Sequence, residues 1–190
     1  MNCPSCWRPI EFEEKYLKVL SCPYCNSVLE FWSWELTKIW EQWDFISFPS
    51  QFIVWKNVEW NWFNVYVKWQ LRYEYDWGFF DVFYVLINWK EYYIKEDDWL
   101  IKLLDIWDWI ESDINLIDQE VWDYSSIFWK DIFVQEVWIY KLVNIKWIIN
   151  TKLIVWKEYE YLDWYENWKM IYLEKESNSH RIRVINEVKK

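Results

Sequence analysis

The chain has a single glycine in 190 residues, where average usage of about 7% predicts roughly 13. No phosphate-binding loop stands in the strand–loop–helix context it needs, and the scarcity leaves hairpin turns that need positive φ without their usual occupant. The one histidine, His180 in "SNSHR", excludes an HExxH zinc site and has no serine, cysteine or aspartate constellation around it; it reads as a surface residue. No run of 18 or more apolar residues is present to span a bilayer. Met1-Asn2-Cys3 opens directly into a cysteine motif, without the basic and then apolar run of a secretory leader, so a cytoplasmic location is expected. Base is also scarce: 21 Lys and Arg stand against 31 Asp and Glu, for a net charge of −10. With no basic stripe carrying interleaved aromatics, nucleic acid is not an expected partner.

What is abundant is tryptophan, at 21 residues. Trp and Gly together number 22, a plausible glycine count for a turn-rich chain. Seven of the Trp follow Asn or Asp directly: Trp62, Trp77, Trp89, Trp99, Trp109, Trp164 and Trp168. The stretch "EYLDWYENWKM" (160–170) shows this twice. Asn-Gly and Asp-Gly are the usual hairpin dipeptides, and a residue with a Cβ meets a steric cost at positive φ that Gly escapes. The cysteine motifs offer the same comparison. Cys3-Pro4-Ser5-Cys6 is followed by Trp7, and Cys22-Pro23-Tyr24-Cys25 by Asn26. Asn enters the left-handed region readily and Trp does not. The pattern reads as glycine positions printed as Trp, through a UGA codon reassigned to Gly. Without the Trp the hydrophobic share falls from 54% to about 43%, still enough for a core.

Cys3, Cys6, Cys22 and Cys25 form C-x2-C-x15-C-x2-C. Each CxxC turn points two thiolates at one ion, and two such knuckles complete a tetrahedral shell. The pattern predicts a zinc ribbon over residues 1–31, with "IEFEEKYLKVLS" as its hairpin and one structural Zn2+; iron is the alternative metal for the same shell. A four-thiolate shell has no open position for catalysis. Residues 32–47, polar and rich in glycine-like Trp, read as a linker. The remainder, 48–188, reads as a β-rich domain.

Within it, "FNVYVKWQLRYEY" (63–75), "FFDVFYVLI" (79–87) and "KEYYIKED" (90–97) are aromatic and β-branched, with Asp76-Trp77-Gly78 and Asn88-Trp89 at the corners. They predict a three-stranded meander. Residues 105–125 carry seven acids and no base and read as a solvated acidic loop. Strands resume with "DIFVQEVWIYKLV", "INTKLIV", "KEYEYL" and "KMIYLEK". A faint echo, with Trp77, Trp89 and Trp99 answering to Trp147, Trp156 and Trp164, suggests a duplicated meander.

With Gly read at the Trp positions, the chain resembles the bacterial family known as domain of unknown function 4178. The resemblance rests on the two cysteine knuckles, on "LRYEYDWGFFDVFYVLINWKEYYIKEDDW" (71–99) and on a later "EVW…KW…VW…Y" (136–159), and covers about residues 1–175. Its marks fall at Tyr73, Glu74, Tyr75, Trp77, Gly78, Asp81, Tyr84 and Trp89; Val82-Phe83 departs from the Glu-Trp that relatives often carry. The family implies no established activity. Its relatives look like companions of membrane-stress proteins, which implies a protein-binding adaptor.

The expectation is therefore an all-β, non-enzymatic protein: a four-cysteine zinc ribbon, then a β-meander module of barrel or sandwich type that binds another protein. Two alternatives stay open, a ribbon-type nucleic-acid-associated factor and a hydrolase using Glu74 and Asp81. A contiguous basic face beside the metal would favour the first, and two carboxylates facing one pocket the second.

Overall fold

The computed structural model describes residues 1–11, 19–32, 35–41, 50–98, 100–128, 130–146, 157–177 and 179–188. Among them there is no helix. After the first cysteine knuckle come β1 (Val19–Ser21), β2 (Ser27–Trp32) and β3 (Glu35–Glu41), an antiparallel sheet in that order. Residues 35–41 are thus a strand, where the sequence reading expects linker. Leu36 and Thr37 pair with Phe31 and Glu30 of β2, so the ladder hydrogen bonds override the polar composition. Residues 12–18 and 42–49 lie outside the described residues.

The second part contains β4 (Asn57–Trp60), β5 (Phe63–Tyr75), β6 (Gly78–Ile87), β7 (Lys90–Asp97) and β8 (Leu100–Glu111). The hairpin β9 (Tyr124–Ile127) and β10 (Lys130–Phe133) follows, then β11 (Glu136–Lys146), β12 (Glu158–Glu166), β13 (Lys169–Glu176) and β14 (Arg181–Glu187). The expected meander matches β5 to β7. The acidic stretch expected as a loop from 105 is strand as far as Glu111. There β8 is held between β7 and β14, and ladders on both sides satisfy its backbone whatever the charge of its side chains. "INTKLIV" (149–155) lies outside the described residues.

Neighbouring strands run β11-β12-β13-β14-β8-β7-β6-β5, and β5 pairs back onto β11. Every pairing is antiparallel. The ring is a closed eight-stranded barrel, with β4 laid along β5 as a ninth strand. Closure removes the unpaired strand edges on which other chains could template. An eight-stranded barrel has an interior just wide enough to be filled by side chains or to hold one small ligand.

The barrel is one unit used twice. Residues 54–67, "VWKNVEWNWFNVYV", align without a gap on 121–134, "VWDYSSIFWKDIFV". The two hairpins have the same register: Asn57↔Tyr66 through Trp60↔Phe63 is matched by Tyr124↔Phe133 through Ile127↔Lys130. Even the latch at their base repeats. Trp55 N–H donates to Val67 O at 2.8 Å and Val67 N–H to Lys56 O at 3.1 Å; Trp122 N–H donates to Val134 O at 2.9 Å and Val134 N–H to Asp123 O at 3.0 Å. Further along, "NWKEYYIKED" (88–97) answers to "NWKMIYLEKE" (167–176), both opening at a two-residue turn. The repeats are therefore β4 to β8 and β9 to β14. Trp89 answers to Trp168, not to Trp156 as the faint sequence echo suggests. The β11–β12 connection is longer than the β5–β6 turn, and the longer connection shifts the spacing.

In the ring the two halves meet at two seams, β5 against its counterpart β11 and β8 against its counterpart β14. Their interior rings repeat across the axis. Tyr73 stacks on Phe80 at 5.0 Å and 18°, and Tyr140 on Tyr159 at 5.7 Å and 19°, while Tyr73 and Tyr140 meet edge to face at 5.0 Å. Outside, each half wears an apolar cap. Phe52 and Trp60 cover Phe83, Val85 and Ile94 of the first. Leu116, Ile127 and Ile132 cover Leu162, Leu173 and Val184 of the second. Val19 and Val28 of the ribbon sheet share a buried cluster with barrel residues that include Leu142 and Ile145.

Candidate functional site

The cysteine cluster forms as its spacing predicts. Trp7 N–H donates to Cys3 O at 2.9 Å and Cys3 N–H to Arg8 O at 2.9 Å; in the second knuckle Asn26 N–H donates to Cys22 O at 3.0 Å and Cys22 N–H to Ser27 O at 2.8 Å. The residues after the second cysteines, Trp7 and Asn26, sit at φ 61° and 56°. The four Sγ atoms of Cys3, Cys6, Cys22 and Cys25 lie within 4.8 Å of one another. Across the knuckles Cys3 and Cys25 are 3.8 Å apart, and Cys6 and Cys22 3.7 Å. These separations are far beyond a disulfide bond. They match the roughly 3.8 Å edge of a tetrahedron with metal–sulfur bonds of about 2.3 Å. Burial pushes the Cys22 thiol up to about 12; at Cys25 burial also raises the pKa, but hydrogen bonds with Ser27 bring the thiol down to about 7. The donor set therefore fits a metal ion with affinity for soft thiolates.

The second feature is the barrel interior. Its lining comes from paired positions of the two repeats: Phe80 and Tyr159, Val82 and Tyr161, Tyr93 and Tyr172, Lys95 and Glu174, Leu104 and Ile185. About 80 Å3 is left free there. A second void of about 170 Å3 shares Phe80, Lys95, Tyr140 and Tyr161 with the first, and reaches Tyr75, Asp97, Glu136 and Trp138. The two voids are neighbours that share these four wall residues, and the second carries the acids Asp97 and Glu136.

Two ion pairs line the interior. Glu174 meets Arg183 at 3.0 Å and accepts from Tyr140 Oη. Lys95 lies 3.5 Å from Asp97, with its ammonium over the rings of Phe80 at 4.4 Å and Tyr161 at 5.2 Å. Burial lowers the pKa of Lys95, opposed by Asp97. Burial raises the phenols of Tyr73, Tyr140, Tyr161 and Tyr172, so they stay protonated donors at any ordinary pH. Tyr172 Oη and Arg183 Nε are buried and have no hydrogen-bond partner. Asp163, 2% exposed, accepts from Tyr161 Oη at 2.8 Å through Oδ2, while its Oδ1 is unpartnered. Burial raises its pKa to about 6.

No family model matches the chain, and no curated protein and no solved structure matches it.

Glu74 and Asp81 do not face one cavity. Asp81 is locked by a buried two-point ion pair, with Arg72 Nε to Oδ1 at 2.8 Å and Nη2 to Oδ2 at 2.6 Å. Glu74 stands opposite Lys141 on the β5–β11 seam. Their neighbours Tyr73 and Phe80 take the interior positions, so strand alternation turns both acids away from it. His180 is exposed and meets Asp113 at 2.6 Å. Sequence reasoning missed Lys95, Tyr172, Glu174 and Arg183. The signal was the "NWKxxYxK/E" echo, which places Tyr93 with Tyr172 and Lys95 with Glu174. Among the described residues no helix is long and apolar enough to cross a membrane.

Trp7, Trp55, Trp62, Trp89, Trp122 and Trp168 have φ between 61° and 69°. Of the seven Trp that follow Asn or Asp, Trp62, Trp89 and Trp168 belong to this set. Trp77 is in the β5–β6 turn outside positive φ, Trp99 lies outside the described residues, and Trp109 and Trp164 are strand residues. Asp163-Trp164 is not a turn, because the hairpin closes at Asn167-Trp168 instead.

Proposed function

We propose that the protein is a non-enzymatic binding protein: a ribbon held by one structural zinc ion, followed by a duplicated barrel that holds a small ligand in its interior. The observation that carries the ligand reading is the free space inside a closed ring of strands, with aromatic walls and a second, more polar void beside it. Ligand sites are concave and mostly apolar, with a few placed polar groups. The adaptor role implied by the likeness to the domain of unknown function 4178 family becomes capture of a small molecule. That likeness is supported by the knuckles and by the stretch 71–99. To test the reading, protein purified from its source is denatured and the released small molecules are counted by mass spectrometry. We expect about one equivalent of one compound per chain. A chain that carries nothing, and whose interior stays closed to xenon, would sink the reading.

For the metal, Cys3, Cys6, Cys22 and Cys25 supply the whole shell, so the ion's contribution is folding free energy rather than chemistry. Elemental analysis should return one zinc per chain; one iron in its place would overturn the choice of zinc.

We also propose that the Trp codons are read as Gly in the source cell. Six indole-bearing residues hold backbone conformations that favour Gly, and Trp164 buries its indole Nε1 without an acceptor. The intact mass of the native protein should fall short of the printed mass by 21 Trp-to-Gly differences; the full printed mass would end the idea. Glycine at Trp69 and Trp138 would widen the interior space that these two rings line.

A further inference from the structure

The interior ligand can be given a chemical class, an inference that rests on the ligand-holding reading above. Two charge pairs line the space, and Lys102, opposite Lys95 in the ladder, lies with its ammonium over the Tyr172 ring at 5.2 Å. Glu174 and Arg183 are 3.0 Å apart, and Lys95 has Asp97 at 3.5 Å. A ligand therefore need not bring charge, and the acidic Asp97 and Glu136 of the neighbouring void repel anions. Two buried donors stand unmet on its wall, beside one unmet acceptor, Asp163 Oδ1, opposite Tyr172 in the β12–β13 ladder. Tyr172, 2% exposed, has a hydroxyl with no partner, and Arg183 has Nε in the same condition, both on the wall of the interior. Buried donors left unmet cost free energy that an incoming acceptor recovers. The two repeats diverge here. Tyr172 keeps the tyrosine of its counterpart Tyr93, whereas Glu174 replaces Lys95 and creates the ion pair that orients Arg183. The walls are otherwise ring faces and edges.

We propose that the barrel binds a small, neutral, planar aromatic molecule carrying a carbonyl-type acceptor, which takes hydrogen bonds from Tyr172 Oη and Arg183 Nε. An apolar cavity of about 150 Å3 admits benzene; the interior offers about 80 Å3 and the neighbouring void about 170 Å3, so a single-ring ligand has to draw on both. The two donors invoked are not Trp, so both remain if the printed Trp are glycines, in a wider space.

The test titrates the full chain with acetophenone, with its shape match α-methylstyrene, which lacks the carbonyl, and with benzoate, which adds charge. Binding is read from the tyrosine ring signals by NMR. Tyr172→Phe and Arg183→Lys are compared with the parent; the first removes only an unpartnered hydroxyl and the second keeps the charge opposite Glu174. Acetophenone should bind, weaken about three- to tenfold in either variant, and outcompete benzoate, while α-methylstyrene should bind parent and variants alike. Equal behaviour of the two neutral probes in every variant, or tighter binding of benzoate, would overturn the acceptor proposal and leave the ligand-holding reading standing. Exclusion of all three probes would overturn both.

Discussion

Glu74 and Lys141 stand opposite each other on the β5–β11 seam and are equivalent residues of the two repeats. Asp105 and Asn186 hold the same relationship on the β8–β14 seam. The internal two-fold axis therefore passes through both seams, and each half alone would leave β5 and β8, or β11 and β14, as open edges. Neither half buries its interior face without the other. We expect a single proteolytic nick in the exposed connector around Ile117 and Gln119 to leave the halves associated. Size exclusion under native conditions should show one species at the parent volume, separating only in denaturant; dissociation without denaturant would argue against mutual closure.

Trp89 and Trp168 occupy equivalent hairpin tips, 92% and 87% exposed, at φ 67° and 64°. Their side chains bury almost nothing, so the backbone cost dominates. Trp89→Gly and Trp168→Gly should each stabilise the printed chain by about 1 kcal/mol. Trp69 is a contrast, buried and stacked on Tyr84 at 4.9 Å. Trp69→Gly in the printed chain should cost about 3–5 kcal/mol. Denaturant midpoints measure both, and a loss at the tips would contradict the torsional argument.

Asp81 holds Arg72 through two hydrogen bonds, with both side chains under a tenth exposed. Asp81→Ala strands a buried guanidinium charge and should destabilise by about 3–5 kcal/mol. Replacing both partners by apolar residues should cost much less, since breaking a buried pair is worse than removing it. A double-mutant cycle read by urea unfolding checks this.

Asp163 binds its proton more tightly folded than unfolded, because burial raises its pKa from 3.8 to about 6, outweighing the hydrogen bond from Tyr161. Its contribution is therefore complete below about pH 4 and is lost as pH rises to 6. Lys95 and Lys102 favour the charged form and Glu136 opposes it. Relative to the parent, Asp163→Asn should gain roughly 2–3 kcal/mol between pH 4 and pH 7. A constant difference across that range would refute the assignment.

Much of this architecture was legible in the residues. Local signals worked wherever turn chemistry and alternation coincide: the knuckles, β5 to β7, and the turns at Asn61, Asn88 and Asn167. The linker reading of 32–47 failed over Glu35–Glu41 because an edge strand needs ladder partners more than apolar side chains. β8 was hidden by its acids, and β14 by its polar approach through His180. Closure itself could not be read locally. It depends on β5 meeting β11 and β8 meeting β14, contacts far apart in sequence. The interior followed only from closure, since Lys95 and Arg183 look like ordinary surface charges until the ring places them inside.

Closure of the ring underlies the cavity, the ligand class and the meaning of the repeat. Its most direct measurement is cross-strand NMR contact at both seams at once, between Glu74 and Lys141 and between Asp105 and Asn186. A closed barrel gives backbone contacts at both pairs in the same sample. If either pair is silent while its flanking hairpins remain paired, the sheet is open and the interior site does not exist.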